Sequence, residues 1–98
     1  GIKLVERSRY EWGGASGWLE VYVYTEGGRH FRIWHCNITH EPGSTNKRQA
    51  GWDRAQEIDS HQYNHTMQQP LRGPPPEEVP PTEQANASAP SVPGQVAV

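Results

Sequence analysis

A carboxylate and an imidazole that a short hairpin can bring together are the residues best suited to chemistry. Glu20 lies in the segment WLEVYVYTE (18–26), and His35 lies in RHFRIWHCNIT (29–39), which follows a Gly-Gly pair. Such a pair supplies the two groups that general acid–base catalysis on RNA or another phosphodiester requires as a minimum. It is equally an ordinary cross-strand polar pair. Because no nucleophile motif or phosphate-binding glycine loop accompanies it, we expect the protein not to be an enzyme.

Two histidines four residues apart, His61 and His65, present their rings on one face of a predicted helix. A third metal ligand would have to come from His35, His40 or Cys36, and none of these lies at a recognised zinc spacing. Cys36 is the only cysteine, which excludes an intrachain disulfide. We therefore expect a solvated helix face here, and no metal or other cofactor.

The second candidate site is aromatic. Trp18, Tyr22 and Tyr24 alternate along one strand, and Arg32 and Trp34 lie on the next. Exposed aromatic rings beside arginine can anchor a protein interface or stack on nucleic acid bases. We predict that these five residues form a binding surface.

The membership of that surface depends on the length of the hairpin turn, because a slip of one residue moves every side chain to the other face. A two-residue Gly27-Gly28 turn places Tyr22 opposite Ile33. It also places Arg32 on the same face as the aliphatic residues of the strand 18–26. A three-residue loop instead joins Arg32 and Trp34 to the aromatic side chains. The sequence leaves both registers open.

The elements that position these residues predict an α+β fold. We expect three antiparallel strands, in residues 1–12, 18–26 and 29–39, followed by an amphipathic helix over residues 52–67. The helix should pack on the aliphatic face and leave the aromatic face open. The alternative is that this second face is buried in a homodimer, or under the loop 40–51 and the tail. The aliphatic face consists of Leu19, Val21 and Val23.

Composition divides the chain into a globular domain, residues 1–68, and a tail, residues 69–98. All nine aromatic residues lie between Tyr10 and Tyr63, whereas eight of the nine prolines lie from Pro70 onward. A segment rich in Pro, Ala, Glu and Ser cannot bury enough apolar surface to offset its ordering entropy, so we expect a disordered tail. Residues 51–98 carry two arginines against six acidic residues, which makes the tail acidic.

Three Asn-x-Ser/Thr triplets, at Asn37, Asn64 and Asn86, are more than chance provides and leave a secreted origin open. A single cysteine fits an intracellular or virion setting instead, because small extracellular domains usually contain disulfides. No apolar run is long enough to span a membrane, so we expect a soluble protein.

These observations favour a non-enzymatic binding or assembly module that presents its aromatic face to a protein partner, including a second copy of itself. The runner-up function is single-stranded nucleic-acid binding through the same face. The chain lacks the strongly basic patch that duplex DNA requires, because residues 1–50 carry seven Lys and Arg against five Glu. A small phosphodiesterase that uses Glu20 and His35 is the third hypothesis.

Overall fold

A computed structural model describes residues 1–76 and shows an antiparallel sheet with one helix. Three long strands form most of the sheet: β1 (Ile2–Trp12), β2 (Ala15–Glu26) and β3 (Arg29–His40). Two short strands, β4 (Gly51–Trp52) and β5 (Gln56–Ile58), both pair with the outer edge of β3. The helix α1 (Ser60–Gln68) follows. The predicted α+β class is confirmed.

The turn between β2 and β3 contains two residues, Gly27 and Gly28, both at positive φ. Glu26 therefore pairs with Arg29, and Tyr22 pairs with Ile33. Positive φ at both central residues is typical of the two-residue hairpin turn that follows the right-handed twist of the strands, and glycine adopts it without strain. The structure thus adopts the first of the two registers considered above.

The helix is shorter than the sequence pattern predicts. The prediction of a helix over residues 52–67 is wrong for its first half, because Trp52 pairs with His35 and residues 56–58 extend the sheet. The helix begins only after Asp59, whose carboxylate accepts a hydrogen bond from the Gln62 amide at 2.7 Å. This N-cap interaction satisfies one of the amide groups that the first turn leaves without a partner.

One face of the sheet is covered at both ends, and we call it the covered face. At one end α1 lies over it, where Tyr63 stacks on His30 at 4.1 Å and Val23 is almost fully buried. The predicted packing of the helix on the aliphatic side is therefore confirmed. At the other end the loop 41–50 contacts this face, where the Arg48 Nε donates to the Cys36 Sγ at 3.3 Å and the Asn46 amide donates to the Tyr10 hydroxyl at 2.7 Å. The contacts of this loop with Cys36 and Tyr10 therefore lie on the covered face and not on the aromatic face.

Residues 70–76, which the sequence analysis assigns to the tail, lie against the edge of β1. Arg72 forms a parallel bridge with Glu6, and the Arg7 amide donates to the Arg72 carbonyl at 2.7 Å. Gly73 approaches the Arg7 backbone so closely that a Cβ atom would collide with its carbonyl oxygen. The predicted disorder of residues 77–98 lies outside the described residues.

We expect Gly73→Ala to detach this segment. The substitution combines strain at φ +99° with a backbone collision, so the loss should be about 3 kcal/mol in the free energy of unfolding. Gly43→Ala is the matched control, because Gly43 has φ +83° with open space around it. It should cost only about 1 kcal/mol. Urea unfolding measures both, and equal losses would contradict the docking of the segment.

Candidate functional site

The face opposite the helix carries the aromatic residues of β2, and we call it the open face. Trp18, Tyr22 and Tyr24 all lie on it, because alternate residues of a strand point to the same side. The β1 partners of these residues on the same face are Arg9, Leu4 and Ile2. The face therefore has a polar end around Trp18 and an apolar end around Tyr24.

Two of the five predicted binding residues lie on the other side of the sheet. Arg32 pairs with Val23, and Trp34 pairs with Val21, so both belong to the covered face. The prediction that they share a surface with Trp18 required a three-residue hairpin loop, and the two-residue turn overturns it. The structure thus brings together Trp18, Tyr22 and Tyr24 but separates Arg32 and Trp34 from them.

The predicted pair of Glu20 and His35 does form, near the centre of the open face. The two residues are cross-strand partners, and the His35 Nδ1 lies 2.9 Å from the Glu20 Oε1. The Tyr22 hydroxyl donates to the same oxygen at 3.4 Å. The other carboxylate oxygen lies 3.5 Å from the Arg7 Nε. Glu20 is therefore engaged on both oxygens, and only 6% of its surface is exposed.

Arg7 connects this polar cluster to the C-terminal segment. Its guanidinium lies 3.8 Å from the centre of the Trp18 ring, which is the geometry of a cation–π contact. Its Nη1 donates to the carbonyl oxygens of Pro74 and Pro75 at 3.2 and 3.1 Å. Arg7 is only 6% exposed, so its charge is held by Glu20, the ring and two carbonyls rather than by water.

The apolar end of the open face consists of partly exposed rings and aliphatic side chains. Tyr24 and Phe31 stack at 5.3 Å, and Trp52 contacts Tyr22 at 5.2 Å between ring centres. Trp52 is 55% exposed and Ile2 is 54% exposed. Between them lies a shallow groove of about 430 Å³. Apolar side chains exposed together in this way are typical of an interaction surface.

The environment of Tyr22 makes its phenol harder to ionise. Burial raises the pKa of Tyr22 above its ordinary value of 10.0, and the negative charge of Glu20 raises it further. A phenolate here would lose solvation and would face a carboxylate, so the neutral form is favoured. Tyr22 is therefore suited to donate a hydrogen bond rather than to act as a base.

The chemistry that this arrangement offers is charge pairing and ring stacking. Trp52 lies against the His35 ring, with 4.2 Å between ring centres, so the imidazole has a neighbour on its face as well as the carboxylate at Nδ1. A carboxylate that already has three partners is poorly placed to accept a proton from a substrate. This geometry favours a structural role for the Glu20–His35 pair.

No metal-binding cluster forms within residues 1–76, where no group of three or more His, Cys, Asp or Glu side chains could hold an ion. His61 and His65 are both exposed on α1. Asn37 and Asn64 are also exposed, in β3 and α1 respectively, whereas the third triplet at Asn86 lies outside the described residues. In the described part of the chain, no helix is long and apolar enough to cross a membrane.

Sequence reasoning missed several members of the open face. Trp52 is predicted to lie in a helix, whereas the structure places it in β4, paired with His35. Gly51, which precedes it, has φ +132°. Arg7 is likewise absent from the predicted binding residues. Its spacing of two from Arg9 places both on the side of Trp18, which is a signal that the strand pattern contains.

No protein-family model, no curated protein and no solved structure matches this chain.

We expect Glu20→Gln to destabilise the fold, because it leaves the buried charge of Arg7 without its counter-ion. The expected loss is about 3 kcal/mol in the free energy of unfolding. Glu57→Gln is the control, since Glu57 also pairs with an arginine, Arg29, at 2.6 Å, but on the surface. Chemical denaturation should show a far smaller change for this variant. Similar losses would contradict a buried ion pair at the centre of the open face.

We expect the same variant to shift the titration of Tyr22. Because the pKa of Tyr22 is raised in the folded state, the resulting stability is present below the ordinary value of 10.0 and is lost as pH rises through the folded value. Glu20→Gln should lower the pKa of Tyr22 without restoring the ordinary value, since burial remains. The absorbance of tyrosinate, with Tyr22→Phe to assign the transition, measures this. An unchanged transition would contradict the contact with Glu20.

Proposed function

We propose that this protein is a non-enzymatic assembly module whose open face packs against the open face of a second copy. The observation that carries the proposal is the apolar end of that face. Ile2 and Trp52 are more than half exposed there, although they flank a groove lined by further apolar side chains. Within residues 1–76, no helix covers this side of the sheet.

A second copy is the occupant that the thin core favours. Five hydrophobic residues are buried among residues 1–76, and α1 contributes none of them. A domain of this size buries only about 60% of the surface that its unfolded chain exposes, so many such domains gain stability by association. Self-association would bury the exposed aromatic side chains without requiring any other molecule.

The shape of the open face suits a symmetric pair. Two antiparallel sheets can pack face to face at a separation of about 10 Å, with side chains interdigitating between them. A two-fold axis would allow Trp52 of each copy to enter the groove beside Ile2 of the other, since both lie at the same end. The ion pair of Arg29 and Glu57 would then form part of a polar rim.

The polar end supports protein association more than nucleic-acid binding on this face. The guanidinium of Arg7 already contacts Glu20, Trp18 and two carbonyl oxygens, so it is not free to bind phosphate. Arg32, the one arginine predicted for this surface, lies on the covered face. The saturated environment of Glu20 likewise disfavours the phosphodiesterase hypothesis.

We expect sedimentation to show an equilibrium between monomer and dimer, and Trp52→Ser to weaken it. An aromatic side chain at the centre of an interface often contributes about 2 kcal/mol, which corresponds to a rise of about 30-fold in the dissociation constant. The matched control is Trp12→Ser, because Trp12 is 70% exposed but lies at the far end of β1. Its removal should leave the dissociation constant unchanged.

Two results would overturn the proposal. One is that the protein remains a monomer at all concentrations up to about 1 mM. The association free energy would then be weaker than about −4 kcal/mol. The other is equal weakening by Trp52→Ser and Trp12→Ser, which would place the interface elsewhere. If the protein is a monomer that binds another protein through Trp52, self-association is wrong and the open face binds a different partner.

A further inference from the structure

A second concave surface lies on the covered face, between the C-terminal turn of α1 and the sheet. It is a groove of about 500 Å³, within the range of small-molecule sites. Its floor is Val21, flanked in one cross-strand row by Glu6 and Trp34. Thr66 of the helix and Arg72 of the C-terminal segment form its walls. This groove is separate from the open face, because Val21 points to the opposite side from Tyr22.

The charge around the groove is positive. Arg32 lines it, and Lys3 belongs to the same cross-strand row as Arg32 through Val23. Arg72 lines it from the opposite side. The one carboxylate among the lining residues is that of Glu6, which lies 3.8 Å from the Arg72 Nη1 in a largely exposed contact. The cations therefore outnumber the anions at this surface.

Arg32 stands out because it is partly buried but makes no side-chain hydrogen bond or ion pair within residues 1–76. The neighbouring cation Lys3, by contrast, already has a hydrogen-bond acceptor, because its Nζ donates to the Met67 carbonyl at 3.0 Å. The Thr66 carbonyl accepts the Gln69 amide at 3.1 Å, so this carbonyl at the end of the helix already has a donor. Among the contacts within residues 1–76, the Arg32 guanidinium at the wall of the groove therefore keeps its donors available.

Trp34 adds a flat apolar surface to this cationic groove. It is 37% exposed, although it lies in the middle of β3. Arg32 precedes it by two residues on the same face, which places their Cα atoms about 7 Å apart. An indole beside a guanidinium that has no partner within residues 1–76 is a combination that can bind an aromatic base together with its phosphate.

We infer that this groove binds a nucleotide, with its base stacked on Trp34 and its phosphate held between Arg32 and Arg72. Two guanidinium groups and the Thr66 hydroxyl supply enough donors for several phosphate oxygens. Inorganic phosphate would leave most of the volume empty and would not use the indole. The nucleotide can be a free monophosphate or one unit of a single strand, since both present the same chemistry.

The test is titration of the full chain, followed by amide and side-chain nuclear magnetic resonance. Three probes are used: adenosine monophosphate, a short single-stranded oligodeoxythymidylate, and inorganic phosphate. We expect both nucleotide probes to shift the Trp34 indole, the Arg32 Nε and the Thr66 amide, and inorganic phosphate to shift them much less. Tighter binding of the oligonucleotide, weakened by salt, would identify the single strand as the source.

Substitutions then distinguish binding in this groove from non-specific attraction of the probe to positive charge. Arg32→Gln should weaken adenosine monophosphate binding about tenfold, and Trp34→Leu by a similar factor. Arg54→Gln is the control, because Arg54 is an exposed arginine outside the groove, and it should have no effect. Glu6→Gln should strengthen binding, since it removes the carboxylate that competes for Arg72.

Three outcomes would overturn the inference. They are the absence of shifts at Trp34 and Thr66 in the wild-type chain, an equal loss of affinity in Arg32→Gln and Arg54→Gln, and shifts confined to Trp18 and Trp52 of the open face. The wild-type spectra need no variant to fold, so the result does not depend on the stability of the substituted proteins. It is also independent of self-association, because the groove and the open face lie on opposite sides of the sheet.

Discussion

The two-residue turn at Gly27 and Gly28 determines which side chains of the sheet act together. Because the turn allows only one pairing of β2 with β3, Glu20 faces His35 and Val21 faces Trp34. The first pair joins the polar cluster of the open face, and the second forms the floor and one wall of the groove. One additional loop residue would exchange these partners along the whole length of β3. Both glycines therefore determine through register which residues form each surface.

The buried ion pair of Arg7 and Glu20 is the second constraint, and it depends on the first. Two charges that are each 6% exposed need close compensation, because desolvation costs several kcal/mol for each ion. The cluster supplies it from three directions: His35 across the hairpin, the Trp18 ring beneath Arg7, and the carbonyls of the C-terminal segment. That segment can reach Arg7 only because Gly73 allows its backbone to approach β1. The ion pair thus links the sheet to residues that composition alone assigns to a tail.

The strand pattern was sufficient to predict three strands, the aliphatic face and the helix above it, because Leu19, Val21 and Val23 alternate with polar or aromatic residues. It was not sufficient to predict the register, since turns of two and three residues are both compatible with Gly27-Gly28-Arg29. The helix prediction for Trp52 is wrong because Trp52, Ala55 and Ile58 lie three residues apart, a spacing that also fits a helix, whereas Trp52 in fact pairs with His35 of β3. The docking of residues 70–76 depends on contacts more than sixty residues distant in sequence, which no local pattern contains.

The two surfaces leave different groups exposed, and the difference follows from how each face is filled. On the open face the charges are already neutralised, so what remains exposed is apolar and suits another protein surface. On the covered face the helix is short and contributes no buried residue, so it leaves a gap beside Val21, where the Arg32 side chain has no acceptor within residues 1–76. A small anionic ligand can fill such a gap, whereas a flat protein surface cannot. Adjacent residues such as Trp34 and His35 consequently serve opposite surfaces, and a ligand on one side need not block association on the other.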